Sequence, residues 1–121
     1  MYSGINQYKK IIVNTSSPVE NIILLYKKSI QSLILAEQKL INEDYSAKGQ
    51  AILKTIDIIN LLNSNLDFSQ GDVAKRLHEA YEIILAHLTK ANTHNDLDSL
   101  RNAQKWLKDL LETWQQIARM V

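Results

Sequence analysis

The chain has 121 residues, of which 45% are apolar and 22% charged, so it can form one domain with one continuous core. Its 14 Lys and Arg nearly balance 13 Asp and Glu, and we therefore expect neither nucleic acid nor an anionic membrane surface as a partner. The lack of cysteine excludes thiol catalysis, disulfides and cysteine-bound zinc. No apolar run approaches the roughly 20 residues that span a membrane, and this favours a cytoplasmic protein.

The first predicted helix covers residues 18–42 and follows an N-terminal arm, residues 1–16, that lacks a comparable helical period. Ser17, Pro18 and Glu20 form its start signal, because Ser and Glu can cap each other's backbone and proline suits the first helical position. Only 3 Gly and 1 Pro occur in the chain, which disfavours many short strands. The apolar face of this helix contains Ile22, Tyr26, Ile30, Leu33 and Leu40.

The second and third predicted helices cover residues 46–66 and 70–91, and each has its own apolar face. Ser69 and Asp72 have the spacing of a capping box, so we expect them to start the third helix. In the second helix the apolar face contains Ile52, Ile56, Ile59, Leu62 and Leu66. In the third it contains Val73, Leu77, Tyr81, Ile84, Leu88 and Ala91.

The fourth predicted helix covers residues 97–119, with Asp96 as its N-cap and Arg119 favourable at its C-terminal end. Its inward residues are Leu100, Leu107, Leu111, Trp114 and Ile117. Four amphipathic helices with short polar links can bury their apolar faces only against one another. The sequence therefore predicts an all-α single domain, an antiparallel up-down-up-down four-helix bundle with a mobile or loosely docked N-terminal arm.

Some apolar residues of the first two helices fall outside these faces: Leu24, Leu35, Leu53, Ile58 and Leu61. Leu24 and Leu35 lie about 200° and 220° around the helix from Ile22, and Leu61 lies about 180° from Ile52. They are either scattered surface side chains or are buried by splayed helices and the arm. They could instead form a groove for an amphipathic helix or extended peptide, or a homodimer interface.

Catalytic and metal-binding patterns are absent from the sequence, so we expect no enzyme, no metal and no cofactor. One segment from His87 to Lys90 is similar to the first part of the HxxKG element of histidine phosphotransfer domains, which are also small helical bundles. Ala91 replaces the glycine of that element. Phosphotransfer through His87 is the alternative function from a different class.

Along nearly its whole length the chain resembles the FliS family, the flagellin-specific chaperones of bacterial flagellar type III export. In the first half, the residues that carry the resemblance are Tyr8, Val13, Thr15, Ser16, Ser17, Pro18, Leu25, Tyr26 and Leu61 to Asp67. In the second half they are Gly71, Val73, Ala74, Leu77, Tyr81, Leu88 to Asn92, Asp96, Leu107 and Trp114. Lys27 and Lys28 depart from the family, which tends to have Asp or Asn and Gly after the tyrosine of the first helix.

The resemblance implies a cytoplasmic export chaperone that binds the disordered C-terminal segment of flagellin, prevents premature polymerisation and assists delivery to the export apparatus. It implies flagellin as partner and an export-gate protein as a possible second partner. We expect the free protein to be a monomer or a weak dimer. It also gives the N-terminal arm a shielding role over part of the apolar surface.

The candidate client-binding residues come from the arm, the first helix and the second half of the second helix. They are Tyr8, Val13, Leu25, Tyr26, Ile56, Ile59, Leu61, Leu62, Asn63 and Leu66. For the aliphatic members, plain core packing remains open as an alternative role. Asn63 is the member expected to exchange hydrogen bonds with the client backbone, because its amide both donates and accepts.

Overall fold

The helices in the structure follow the apolar periodicity of the sequence. The computed structural model describes residues 18–120, apart from the side chain of residue 70, so the predicted arm and the predicted Ser17 cap lie outside the described residues. The described part contains no strand. Its elements are α1 (Pro18–Ile41), α2 (Tyr45–Ser64), a 3₁₀ turn (Phe68–Gln70), α3 (Asp72–His94) and α4 (Leu97–Met120).

The four helices form a closed ring in which each helix packs against two neighbours. α1 packs against α2 and α4, and α3 packs against the same two helices. The short links between α1 and α2 and between α3 and α4 make these pairs antiparallel. The predicted up-down-up-down bundle is confirmed. One end of the bundle therefore holds the starts of α1 and α3 together with the ends of α2 and α4.

The core lies between the four apolar faces, whose burial supplies the main driving force for folding. At its centre are side chains with no or almost no exposed surface: Tyr26, Leu33, Ile52, Ile59, Tyr81, Ile84, Leu88, Leu100 and Leu107. All of them were predicted as inward-facing residues. The periodicity of each helix thus predicted the centre of its buried face. It was wrong for two residues near helix ends, Val73 and Ile117, which are exposed at 64% and 38%.

The expected surplus of apolar surface is present at some positions and absent at others. Leu24, Leu35 and Leu53 are exposed, at 52%, 46% and 54%. Ile58 and Leu61 are buried instead, so of the readings left open for them the one as exposed surface side chains is wrong. α2 packs against both α1 and α3. The part of its circumference that is buried is therefore wider than the one apolar face predicted from the helical period.

Polar side chains set the ends of α2. The Asp44 side chain accepts a hydrogen bond from the Ala47 backbone N–H (3.2 Å), so the helix begins at Tyr45. It ends at Ser64, not at residue 66 as predicted, because the backbone tightens into a final turn there. In that turn the Asn65 N–H bonds to the Leu62 carbonyl at 3.3 Å.

The start of α3 also differs from the prediction. The Ser69 backbone N–H and hydroxyl both donate to the Asp67 side chain, at 3.0 and 2.6 Å, so Ser69 belongs to the 3₁₀ turn and does not cap α3. Gly71 follows with φ +75°, a conformation that favours glycine, and α3 begins at Asp72. The helix continues past the predicted end at residue 91 until Asn95 turns left-handed at φ 52°.

Asp96 caps α4 as predicted. Its side chain accepts from the Ser99 backbone N–H at 3.1 Å, and Lys90 lies 3.5 Å from its other carboxylate oxygen. The Ser99 N–H, followed by the charge of Lys90, holds the pKa of the Asp96 carboxyl below its usual value. The link between α3 and α4 is therefore fixed by local hydrogen bonds.

A buried lysine joins the start of α2 to the end of α3, at the bundle end opposite to the α1 start. The Lys48 ammonium donates to the Asn92 backbone carbonyl (2.8 Å) and to its side-chain oxygen (3.1 Å). Burial lowers the pKa of Lys48, and the carbonyl-rich C-terminal end of α3 offsets part of the loss of hydration. This link closes that end of the bundle.

No helix in residues 18–120 combines the length and the apolar character needed to cross a membrane. The exposed surface of the helices carries charged residues together with apolar side chains, among them the neighbours Ile34 and Leu35.

Candidate functional site

An apolar groove of about 280 Å³ opens at the bundle end where α1 and α3 begin. All four helices and the turn after α2 contribute to it. Its lining residues are Pro18, Ile22, Leu25, Leu61, Leu62, Asn65, Leu66, Asp67, Leu77, Tyr81 and Trp114. The groove lies where the half-buried side chains Ile22, Leu66, Leu77 and Trp114 have no fifth element over them within the described residues.

The wall formed by the end of α2 is held by its own backbone. The Asn65 side-chain amide donates to the Leu61 carbonyl at 2.7 Å, which satisfies one of the carbonyls left open at the helix end. The Leu66 N–H bonds to the Asn63 carbonyl at 3.3 Å. These bonds hold the half-buried Leu66 side chain at the rim of the groove, in continuation of Leu62.

Three aromatic residues from three helices meet beneath and beside this groove. The Trp114 indole N–H on α4 donates to the Tyr26 hydroxyl on α1 at 3.1 Å. The Tyr26 hydroxyl is in turn hydrogen-bonded to the Tyr81 hydroxyl on α3 at 2.5 Å. We call these three residues the aromatic network. Tyr81 and Trp114 line the groove, whereas Tyr26 is fully buried below it.

Both phenols of the aromatic network keep their protons at neutral pH. Burial raises the pKa of Tyr26, against the lowering effect of its hydrogen bonds to Tyr81 and Trp114. Burial also raises the pKa of Tyr81, and the proximity of Tyr26 raises it further. The network is therefore uncharged, as suits an apolar site.

The structure brings some of the candidate client-binding residues together at the groove. Leu25, Leu61, Leu62 and Leu66 line it, and Tyr26 lies beneath it. The other aliphatic candidates, Ile56 and Ile59, are part of the core or packed against it and do not line the groove. Tyr8 and Val13 lie outside the described residues.

Asn63 does not line the groove and is already engaged by α3. Its side-chain oxygen is 2.9 Å from Nδ1 of His78, and its amide nitrogen donates to Glu82 at 3.4 Å. The ring of His78 also meets Phe68 edge-on, with centroids 5.9 Å apart. These contacts join α2 to α3 outside the groove.

Four groove residues were predicted only as core: Ile22, Leu77, Tyr81 and Trp114. A signal for two of them was present in the sequence. Tyr26, Tyr81 and Trp114 each occur about two turns from a helix end that an antiparallel bundle brings to the same side. Because Tyr and Trp need hydrogen-bond partners when buried, their similar height in the bundle predicts hydrogen bonds among these three side chains.

Within residues 18–120, no group of His, Cys, Asp and Glu side chains is arranged to hold a metal ion. His87 is half-buried on α3 and does not belong to the groove. The groove is instead lined mostly by aliphatic and aromatic side chains.

Comparisons with known proteins agree with the earlier resemblance. The sequence profile of the family described as flagellar protein FliS matches residues 1–121. The chain is 33% identical to the flagellar secretion chaperone FliS of Salmonella typhimurium, over 96% of this chain and 90% of the relative. It is 29% identical to the Vibrio cholerae FliS, over 97% and 90%, and 30% identical to the Pseudomonas aeruginosa FliSB, over 95% of each chain.

The buried phenols predict a loss of stability in alkali. Above pH of about 10 tyrosines ionise in the unfolded chain, while the raised pKa values of Tyr26 and Tyr81 keep them protonated in the fold. The unfolded state then binds fewer protons, so the free energy of unfolding falls with rising pH, by at most about 1.4 kcal/mol per pH unit for each tyrosine. Below pH of about 10 this contribution is fully present.

Urea unfolding between pH 9 and 11 measures this slope. The double variant Tyr26→Phe with Tyr81→Phe should lose stability less steeply than the wild type, whereas Tyr45→Phe, at an exposed position, should keep the wild-type slope. Lys48 titrates in all three proteins, so the difference between them reports the buried phenols. Equal slopes in the double variant and the wild type would contradict the assignment.

Proposed function

Because the chain belongs to the FliS family of flagellar secretion chaperones, we propose that it binds the disordered C-terminal segment of flagellin in the bacterial cytoplasm. Binding would keep flagellin from polymerising prematurely and assist its delivery to the flagellar export apparatus, with an export-gate protein as a possible second partner. The observation that carries the proposal is the apolar groove between the four helix ends.

The shape and chemistry of the groove suit a flexible apolar client. A disordered segment loses conformational entropy when it binds and needs apolar contact to offset that loss. A volume of about 280 Å³ holds only a few side chains, so the groove serves as an anchor point. Further contact falls on exposed apolar side chains outside it, such as Leu24 next to the groove residue Leu25.

The N-terminal arm is the second part of the proposal. Pro18, which lines the groove, is the first described residue, so the arm joins the described chain at the groove. We propose that the arm covers apolar surface near the groove in the free protein, with Tyr8 and Val13 as its shielding residues, and gives way when flagellin binds. The free protein is then a monomer or a weak dimer.

The histidine phosphotransfer alternative receives no support from the site. His87 lies outside the groove, the glycine of the phosphotransfer element is replaced by Ala91, and the family to which the chain belongs is one of chaperones.

A charge placed at the rim of the groove tests the client site. Leu66 lies beyond the end of α2 and is half-buried, so Leu66→Glu should leave the fold intact while placing a carboxylate against the bound apolar segment. We expect about tenfold or greater loss of affinity for a fluorescent peptide of the flagellin C-terminal segment, measured by anisotropy, with little change in thermal midpoint.

Leu53→Glu is the matched control, since Leu53 is an exposed leucine of α2 that does not line the groove. It should bind the peptide with wild-type affinity. If both variants bind like the wild type, the groove is not the client site.

Removal of the arm tests its shielding role. Deleting residues 1–14 should increase the fluorescence of a dye that binds apolar surface and should raise the affinity for the flagellin peptide, because a competing segment is lost. Deleting only residues 1–6, which keeps Tyr8 and Val13, should change both less. An unchanged dye signal together with unchanged affinity after the longer deletion would remove the arm from the mechanism.

A further inference from the structure

The outer face of α4 carries a surface depression that is separate from the groove. Its volume is about 410 Å³, and its lining residues are Asn102, Lys105, Trp106, Asp109, Leu110 and Thr113. Their spacing of three and four residues places them on one side of the helix. Trp106 and Leu110 are the apolar members, and Trp106 is 36% exposed. No residue of another helix lines the depression within the described part of the chain.

This face of α4 points away from α1 and from the core. Gln104 donates to the Leu33 carbonyl of α1 at 3.1 Å, so α1 occupies the flank of α4 on which Gln104 lies. Trp106 is about 160° around the helix from Gln104. Leu107 is fully buried and marks the side of α4 that faces the core. The depression therefore lies on the outside of the bundle.

Two opposite charges on this face have no partner in the fold. Lys105 and Asp109 are both exposed, and neither has an ion-pair partner within residues 18–120. They are one turn apart on the same helix, but a lysine that precedes its acidic partner is the less favourable order for a pair within a helix. Both side chains are therefore available to a partner of matching charge.

A second copy of the same face supplies that matching charge. When two α4 helices pack antiparallel about a two-fold axis at the level of Leu107, residues equally far from Leu107 on either side lie opposite each other. Lys105 of each copy then lies opposite Asp109 of the other, and both Trp106 side chains lie beside the axis. A parallel arrangement would place Lys105 opposite Lys105. The charges therefore favour the antiparallel arrangement.

We propose that this face of α4 is the surface through which two copies of the chain form a weak dimer, with Trp106 and Leu110 at its centre and reciprocal pairs of Lys105 with Asp109 at its edge. An aromatic side chain surrounded by polar residues is typical of protein–protein interfaces. The six lining residues are far fewer than the roughly 20 to 30 a side of a stable complex. We therefore expect a dissociation constant on the order of 0.1 mM.

Such a dimer leaves the groove open, because none of the groove residues belongs to this face of α4. Each copy can therefore bind a client segment while the two copies are associated. The inference rests on the proposed function for the weak dimer, whose surface it names, and is independent of flagellin binding.

Reversal of each charge tests the pairing, with self-association measured by sedimentation equilibrium between about 10 µM and about 1 mM. Lys105→Glu and Asp109→Lys each place like charges opposite each other in the dimer. Each should weaken self-association by about tenfold or more. An equimolar mixture of the two variants should associate about as strongly as the wild type, because both charge pairs are attractive again in the mixed dimer.

Lys54→Glu and Asp57→Lys are the matched controls. Both residues are exposed on α2, and the two substitutions change the charge in the same way as those on α4. Each control variant should associate like the wild type.

A wild type that stays monomeric at about 1 mM would overturn the proposal. So would a mixture of Lys105→Glu and Asp109→Lys that associates no more strongly than either variant alone. Binding of the flagellin peptide, measured by anisotropy at about 1 µM protein, where the dimer is not populated, tests the proposed function separately.

The competing occupant of this face is the N-terminal arm. The fluorescence of Trp106, taken as the difference between chains with and without Trp106→Phe, distinguishes the two occupants at about 1 µM. If a second copy is the occupant, deletion of residues 1–14 should leave this fluorescence unchanged at that concentration. A change in emission on deletion would mean that the arm covers the face, and the proposal would be wrong.

Discussion

The hydrogen bonds among Tyr26, Tyr81 and Trp114 tie three of the four helices together near the groove end of the bundle. Without these bonds the side chains would have to bury polar atoms without partners or turn them to solvent. With them, three large aromatic residues form a defined floor and wall. The aliphatic side chains Ile22, Leu66 and Leu77 can then remain partly exposed without loosening the bundle, and the groove is a consequence of that fixed base.

The two ends of the bundle are built differently. At the far end, the Lys48 ammonium fastens the start of α2 to the Asn92 carbonyl at the end of α3, and short capped links join the helices in pairs. At the groove end, the longer connection from α2 to α3 runs through a 3₁₀ turn and Gly71, and the chain before Pro18 enters there. The end that contains Lys48 is thus closed by a buried hydrogen bond between helices, whereas the opposite end carries the apolar groove proposed for client binding.

Helical periodicity predicted the fold because the apolar residues of each helix cluster on one face. The residue at the middle of that face, such as Ile52, Ile84 or Leu100, is fully buried. It did not predict how wide each buried arc would be. Ile58 and Leu61 on α2 are buried because that helix has two neighbours, a fact of tertiary packing. The sequence pattern also did not predict which acidic residue would bind Ser69. The Ser69 N–H donates to Asp67, whereas the capping-box spacing had pointed to Asp72.

The candidate site was only partly predictable for a related reason. Leu25, Leu61, Leu62 and Leu66 followed from the family resemblance and line the groove, but Asn63 matched the same resemblance and contacts His78 instead. Whether a residue near a helix end faces the groove or a neighbouring helix depends on tertiary packing there. Trp114 lies far along the chain from Tyr26, and only the closed ring of helices places them together.

Binding of flagellin in the groove at the helix ends can be tested by a nuclear magnetic resonance titration. The protein would carry isotope labels on isoleucine and leucine methyl groups and on the tryptophan indoles, and the flagellin C-terminal peptide would be added. If flagellin binds in the groove, the largest shifts should occur at Ile22, Leu62, Leu77 and the Trp114 indole N–H. Shifts confined to the outer leucines Leu35 and Leu53, with the groove signals unchanged, would contradict it.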